Sequence, residues 1–584
     1  MIPGPAPARQ IAAAVRAGAS TALAEAEAAL ARAAAYDAVQ PQAWISRFPA
    51  EAVRSAARAI DARIAAGEDL PLAGVPFAVK DNIDVAGLAT TAACPAFAYR
   101  PAASAFAVQR LLDAGALCLG KTNLDQFATG LNGTRSPYGA PRCVHNLDYV
   151  SGGSSSGSAV VVGAGVVPLA LGTDTAGSGR VPAAFNGLVG LKPSKGRWST
   201  TGLVPACRSL DCITVFALDA EDAALADTVI AGFDAADPYA RRLDERALSP
   251  RLGVPLPHQR PWFGDLEAEA LYARALARLE AEGHALVPVD FAPLLEAASL
   301  LYNGPWVAER TAALEQVLRE SPEAMDPTVR AIVAGGLQIR AVEVFRGQYR
   351  LMELAREAER IWQEVDALAV PTAPTIYRVR AMEASPVALN SHFGTFTNFV
   401  NLLDMAAIAV PAGYRRNGTG FGISFFAPAG TDRALLGMAA RWGHPGPRPP
   451  LDTGGKMETV LLAVVGAHLE GMPLHWQLTS RDARFLGATH TAPTYRLYAM
   501  AGSVPPKPAL VFDEAGAAIA VEVYELDVAA FGSFVAEVPP PLAIGTVTLA
   551  DGRAVKGFVA EPRATAGAED ITACGGWRAW LARG

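Results

Sequence analysis

Three short segments carry residue types that could cleave an amide bond together. They are Lys80 in VPFAVKDNID, the run GGSSSGSA at 152–159, and GTDTAGSGR at 172–180. In GTDTAGSGR an apolar strand candidate, 166–172, gives way to small residues around Ser178. Small residues let the backbone turn tightly, so that successive N–H groups converge on one point. A serine there can aim its hydroxyl at a carbonyl while the amides of Thr175, Ala176, Gly177 and Ser178 face the developing oxyanion. Taken alone, the segment reads far more readily as a plain glycine-rich turn.

GGSSSGSA could be a flexible linker, but it opens directly onto AVVVGAGVVPLAL, which is core material. No lysine follows its glycines as a phosphate loop requires. Ser154 can therefore sit against the sheet, near Ser178 in space. Lys80 ends an apolar run, and lysine is rarely buried without a reason. Desolvation disfavours its charge and lowers its pKa, and a neutral amine can take a proton from a hydroxyl. The competing reading is an ion pair of Lys80 with Asp81 or Asp84.

The elements around these segments read as α/β. Across 72–202, short β-rich runs alternate with Ala- and Leu-rich stretches, which predicts a mixed central sheet covered by helices. Residues 8–35 carry apolar positions at helical spacing, one or two helices that cap the core or pair with a second copy. Helical periodicity returns at 264–283, 294–318 and 338–366. Strands are expected at 366–374, 421–428 and, after a helix, at the end of 396–413. A catalytic domain over 1–440, with N-terminal helices in 1–70, gives way to a Pro- and Gly-rich linker at 441–455. A smaller β-rich domain follows over 456–584.

Composition narrows the partners. Fifty Lys and Arg against 57 Asp and Glu give a net charge of −7, with no basic stripe for nucleic acid. No segment is a membrane span or a targeting leader, so the cytoplasm is the expected compartment. Six scattered cysteines form no CxxC, and neither a disulfide framework nor a metal site is expected.

The three segments, with SGRVPAAFNGLVGLKPSKGR at 178–197, resemble the amidase signature family, whose catalytic set is Ser–cis-Ser–Lys. The resemblance covers 1–440. It implies Lys80 as base, Ser154 as a bridging serine after a cis peptide bond and Ser178 as nucleophile. Ser155, Ser156 and Ser158 would be structural, and Asp174 and Arg180 would brace the loop. It implies no cofactor.

LYNGPWVAER at 301–310 places Tyr302 and Arg310 eight residues apart, about two turns of one helix. A guanidinium can clamp a small carboxylate through two parallel hydrogen bonds; the plainer reading is a core tyrosine and a solvent-facing arginine. This segment, 393–413 and the β-rich extension resemble the allophanate hydrolase branch of the family. That implies Tyr302 and Arg310 as substrate-binding residues and a small-molecule substrate, allophanate. It also implies a link to urea carboxylase or to triazine and biuret breakdown, and a homodimer. VVGAHLEGMPLHWQL at 464–478 resembles that branch's C-terminal domain, which is similar to γ-glutamylcyclotransferases and linked to decarboxylation of the first product. His468 is the histidine nominated there, with His490 and then His475 as rivals, and a purely structural histidine is the alternative. The rival functions are another amidase, such as a glutamine-hydrolysing amidotransferase subunit or a malonamidase, and a non-catalytic scaffold on the same fold.

Overall fold

The computed structural model describes residues 4–249, 251–454, 459–481 and 483–583. The chain forms two compact units, Met1–Gly454 and Gly455–Gly584.

The first unit is built on an eleven-stranded sheet. Its strands are β1 (Trp44–Arg47), β2 (Pro76–Lys80), β3 (Leu117–Thr122), β4 (Leu169–Asp174), β5 (Val189–Lys192), β6 (Cys212–Ala217), β7 (Arg251–Pro255), β8 (Ala285–Val289), β9 (Ala367–Pro371), β10 (Met405–Tyr414) and β11 (Gly420–Pro428). The spatial order is β1-β3-β2-β4-β6-β5-β10-β11-β9-β7-β8. β2 runs parallel to both β3 and β4, while β4, β6, β5, β10, β11 and β9 alternate in direction. The sheet is therefore mixed, as the alternating sequence predicted. The central strands β2, β3, β4 and β6 are buried along their whole length, which is why they read as continuous apolar runs rather than alternating ones.

Two helices, Ala8–Arg16 and Ala22–Asp37, occupy the predicted 8–35 region. Their apolar faces, Ile11, Val15, Ala26, Ala29 and Ala33, join the same core as β2 and β4. They cap that core, and it is not these faces that are left open for a second copy. The 294–318 periodicity divides into Ala292–Asn303 and Trp306–Glu320, broken at Gly304–Pro305. The stretch 338–366 holds the helix Ala341–Ala358 and the short turn Ile361–Glu364.

The Pro- and Gly-rich stretch read as a linker does not hang free at its described C-terminal end. Asp452 N–H donates to the Val144 carbonyl at 2.9 Å, and the Asp452 carboxylate accepts from Leu147 N–H at 2.8 Å.

The second unit holds a five-stranded sheet and a three-stranded one. The first contains β12 (Thr459–Val464), β13 (Arg484–His490), β16 (Ala520–Asp527), β17 (Leu542–Thr548) and β18 (Ala554–Ala560); the second contains β14 (Tyr495–Ala499), β15 (Pro508–Phe512) and β19 (Glu569–Asp570). It has its own apolar core, with Leu462, Val464, Leu497, Val523, Leu526 and Val547. Among the described residues, no helix is long and apolar enough to cross a membrane.

Candidate active site

Lys80 is the last residue of β2, flanked by β3 and β4. Its side chain is fully buried. The amine donates to Ser154 Oγ at 2.7 Å and to Thr173 Oγ1 at 2.6 Å. Burial pulls its pKa down from 10.5 to about 7, against the opposing fields of Asp125, Asp211 and Asp174. The ion-pair reading fails on geometry. Asp81 pairs with Lys121 at 3.0 Å, and Asp84 accepts from Thr90 and Tyr99. An amine near half-ionised at neutral pH, in contact with hydroxyls, can exchange its role: once neutral, its lone pair accepts from Ser154 O–H.

Ser154 follows a cis Gly153–Ser154 peptide bond and precedes the buried helix Ser156–Gly163. The next serines tie this helix to the sheet. Ser155 Oγ donates to the Thr173 carbonyl at 3.0 Å and Ser158 Oγ to the Leu171 carbonyl at 2.8 Å. Ser156 Oγ donates to the Asn123 carbonyl at 3.4 Å. On its other side the Ser154 carbonyl accepts from Asp125 N–H at 3.0 Å. A side chain at Gly153 would collide with the Asp125 carboxylate and the amides of Asn132 and Gly133, so only glycine fits.

Ser178 lies in the loop after β4. Asp174 and Arg180, both fully buried, organise that loop through paired hydrogen bonds of 2.8 and 2.9 Å. Burial disfavours the Asp174 charge, but the Arg180 guanidinium wins and holds the carboxyl below its usual range. Asn401 ties the loop down further, donating to the Asp174 carbonyl at 2.7 Å and the Leu210 carbonyl at 2.9 Å. Ser178 Oγ is 3.5 Å from the Gly130 carbonyl, so Ser154 and Ser178 both lean on the segment 125–135.

Four amides were expected to face an oxyanion. One of them is already engaged: Gly177 N–H donates to Asp174 Oδ1 at 2.8 Å. Among the described residues no acceptor meets the N–H of Ala176 or Ser178. The Thr175 hydroxyl donates to the Asp211 carboxylate, which also accepts from Ala206 N–H at 2.8 Å. Burial raises the Asp211 pKa to about 6.

Tyr302 and Arg310 do not share a helix. Tyr302 lies in Ala292–Asn303 and Arg310 in Trp306–Glu320, on either side of Gly304–Pro305. The bend nevertheless brings them together, with the guanidinium 5.7 Å from the Tyr302 ring centroid. Arg310 is buried rather than solvent-facing. It donates to Thr129 Oγ1 at 2.8 Å, and among the described residues no carboxylate forms an ion pair with it. Tyr302 lines a cleft of about 1110 Å³ together with Leu131, Arg135, Val307, Asn390 and Asn398. Lys80, Ser154, Ser178 and Arg310 are not among its lining residues; Gly130, whose carbonyl lies 3.5 Å from Ser178 Oγ, directly precedes the lining residue Leu131 in the chain.

Sequence reasoning missed several of these groups. Thr173 was legible in principle, because the parallel register Val79↔Leu171 continues to Asp81 and Thr173 beside Lys80. Asp125, Thr129 and Asp211 carry no local signal. They reach the site through loops that only the tertiary fold brings in.

In the second unit, His468 bonds Gln477 Oε1 at 2.7 Å and stacks on Phe558 at 4.9 Å, and burial lowers its pKa. That is the setting of a structural histidine. His490 is exposed on β13. His475 meets the Tyr524 hydroxyl at 3.2 Å, and that hydroxyl donates to Glu522, itself paired with Arg578 at 2.8 Å. Of the three histidines, His475 is the one placed in a charged network. Among the described residues, no group of three His, Cys, Asp or Glu is placed to hold a metal ion.

Comparison with known proteins yields two family matches. Residues 25–436 match the amidase model, and residues 460–582 match the allophanate hydrolase C-terminal domain. The urea amidolyase of Lachancea kluyveri is 45% identical over 545 residues, which is 88% of this chain and 30% of that protein. This chain thus spans about a third of the length of the urea amidolyases it matches. A glutamyl-tRNA(Gln) amidotransferase subunit from Symbiobacterium thermophilum is 36% identical, covering 67% of this chain and 87% of its own. The solved allophanate hydrolase of Kluyveromyces lactis superposes with a TM-score of 0.71 at 42% identity, covering 99% of each chain.

Proposed function

The chain belongs to the amidase family, and we propose on that premise that it hydrolyses the terminal amide of allophanate. In this reading neutral Lys80 draws a proton from Ser154, which draws one from Ser178. Ser178 Oγ attacks the urea carbonyl, and the loop amides of Ala176 and Ser178 hold the oxyanion. The C–N bond breaks as the proton returns through Ser154, and ammonia leaves. Water then adds to the acyl-Ser178 carbonyl by the same relay and frees N-carboxycarbamate. That product loses carbon dioxide to give a second ammonia and a second carbon dioxide.

One observation supports the substrate class above the rest: Arg310 is a buried cation that, among the described residues, forms no ion pair with a carboxylate, Asp211 and Glu309 acting on it only from beyond contact distance. An unpaired buried charge is costly, and a substrate carboxylate would compensate it. A neutral amide would leave the guanidinium unpaired. The cleft-lining Tyr302, stacked against the guanidinium, would supply a further polar contact. The likeness to urea amidolyases favours a supply of allophanate by carboxylation of urea over its supply by triazine or biuret breakdown.

The test is ammonia release from allophanate, biuret, malonamate and glutamine in parallel, with Ser178→Ala as control. Allophanate should be the best substrate, and the variant should release none while keeping its circular dichroism. Preference for glutamine would replace this reading with that of an amidotransferase subunit. Silence on all four substrates would leave a scaffold.

A further inference from the structure

Gly304–Pro305 turns the chain between Ala292–Asn303 and Trp306–Glu320, so the first helix does not by itself aim the second. The direction of the helix that carries Arg310 must be set by a contact from elsewhere, and the segment 206–211 makes one. Glu309, in the first turn and next to Arg310, accepts from Ser209 twice, from its N–H at 2.7 Å and from its Oγ at 2.8 Å. The Cys207 thiol lies 3.5 Å from the Trp306 carbonyl. The other end of the same segment holds the catalytic loop. The Asp211 carboxylate takes the Thr175 hydroxyl, the Ala206 N–H at 2.8 Å and the Cys207 N–H at 3.3 Å. Asn401 links the Leu210 carbonyl to the Asp174 carbonyl. Apolar packing repeats the connection. Ala176 of the loop, Cys207 and Leu210 of the segment, and Leu301 and Trp306 of the two helices share one buried cluster, with Tyr302 packed against it.

We propose that Glu309 is a positioning residue for amide cleavage: through Ser209 it fixes the helix of Arg310 to the segment that anchors the loop of Ser178. The inference rests on the proposed role of Arg310 as the partner of the substrate carboxylate. Allophanate is only a few bonds long, so there is no slack between its carboxylate and its reacting carbonyl. A misplacement of about 1 Å between the groups that meet them can cost on the order of 100-fold in rate. Glu309 does not line the cleft; it acts through where it puts the guanidinium. A glutamate in a first turn also suits the helix dipole, but that role needs no partner at position 209. Two hydrogen bonds to one serine, backbone and side chain together, fix a geometry that a diffuse charge effect does not.

A double-mutant cycle on the full chain tests this, read on two amides. Glu309→Ala should lower kcat/KM for allophanate by about tenfold or more, and that for neutral malonamide by less than about threefold. Glu309→Gln can still accept from the Ser209 N–H and can donate to its hydroxyl, so it should stay within about threefold of the wild type. Ser209→Ala should lose part of the allophanate rate by itself and nothing further when Glu309→Ala is already present. Hydrogen exchange does not depend on which amide the chain cleaves. In Glu309→Ala the amides of 206–211 should exchange about tenfold faster or more. Equal losses on both amides, no recovery with Glu309→Gln, additive effects of the two alanine substitutions, or unchanged exchange would each overturn the proposal. A wild type that does not prefer allophanate would overturn the substrate reading, while faster exchange in Glu309→Ala would still uphold the link between segment and helix.

Discussion

A guanidinium and an amine, both buried and, among the described residues, without carboxylate partners at contact distance, define the site at the scale of single residues. The two answer burial differently. Lys80 yields its proton, with a pKa of about 7, whereas arginine stays charged and must be matched. In the proposed function, Arg310 is therefore the selecting group and Lys80 the reacting one. Replacing Arg310 by Ala removes a charge-assisted contact of about 1.5–3 kcal/mol. The kcat/KM for allophanate should fall about 10- to 150-fold, while turnover of neutral malonamide changes less than threefold. Equal losses on both substrates, measured by ammonia release, would show that Arg310 holds up the fold rather than the substrate. Asp211, pinned by Thr175 and raising the amine's pKa, gives a finer check. Asp211→Asn should move the acid limb of activity to lower pH, because the amine then loses its proton more readily.

At the scale of elements, the catalytic loop is held by a buried ion pair across its base rather than by the hydrogen-bond ladder of β4. Asp174 and Arg180 form that pair, which also captures the amides of Gly177 and Gly179. Asp174→Ala would strand the guanidinium and should cost about 3–5 kcal/mol, seen as unfolding at lower urea concentration with loss of turnover. An unchanged unfolding midpoint would show that the loop is organised otherwise. The strands that place Lys80 and Ser178 were legible because buried central strands are long apolar runs with abrupt polar ends. The pair Tyr302 and Arg310 was legible in residue type but not in geometry. Gly304–Pro305 breaks the helix that the apolar periodicity alone would continue. The Gly177 amide was misjudged for a similar reason: its acceptor, Asp174, is close in sequence, but the turn that aims it is not readable there.

At the scale of the whole molecule, the first unit's fold supplies what no motif can. The charge of Lys80 is disfavoured because β3, β4 and the helix Ser156–Gly163 remove water from it. The sheet, its mixed character and the β-rich second unit could be read from periodicity and resemblance. The charged cluster His475, Tyr524, Glu522 and Arg578 could not, because its members come from distant segments. The central claim, a neutral lysine as base, is a statement about protons. It is tested most directly by the pH dependence of kcat/KM for ammonia release from allophanate. The neutral amine is the active form, so activity should rise with pH through a single ionisation near 7 and level off above it. A rise delayed to about 10, the range of an ordinary lysine, or a profile flat across roughly 6–9, would contradict the account.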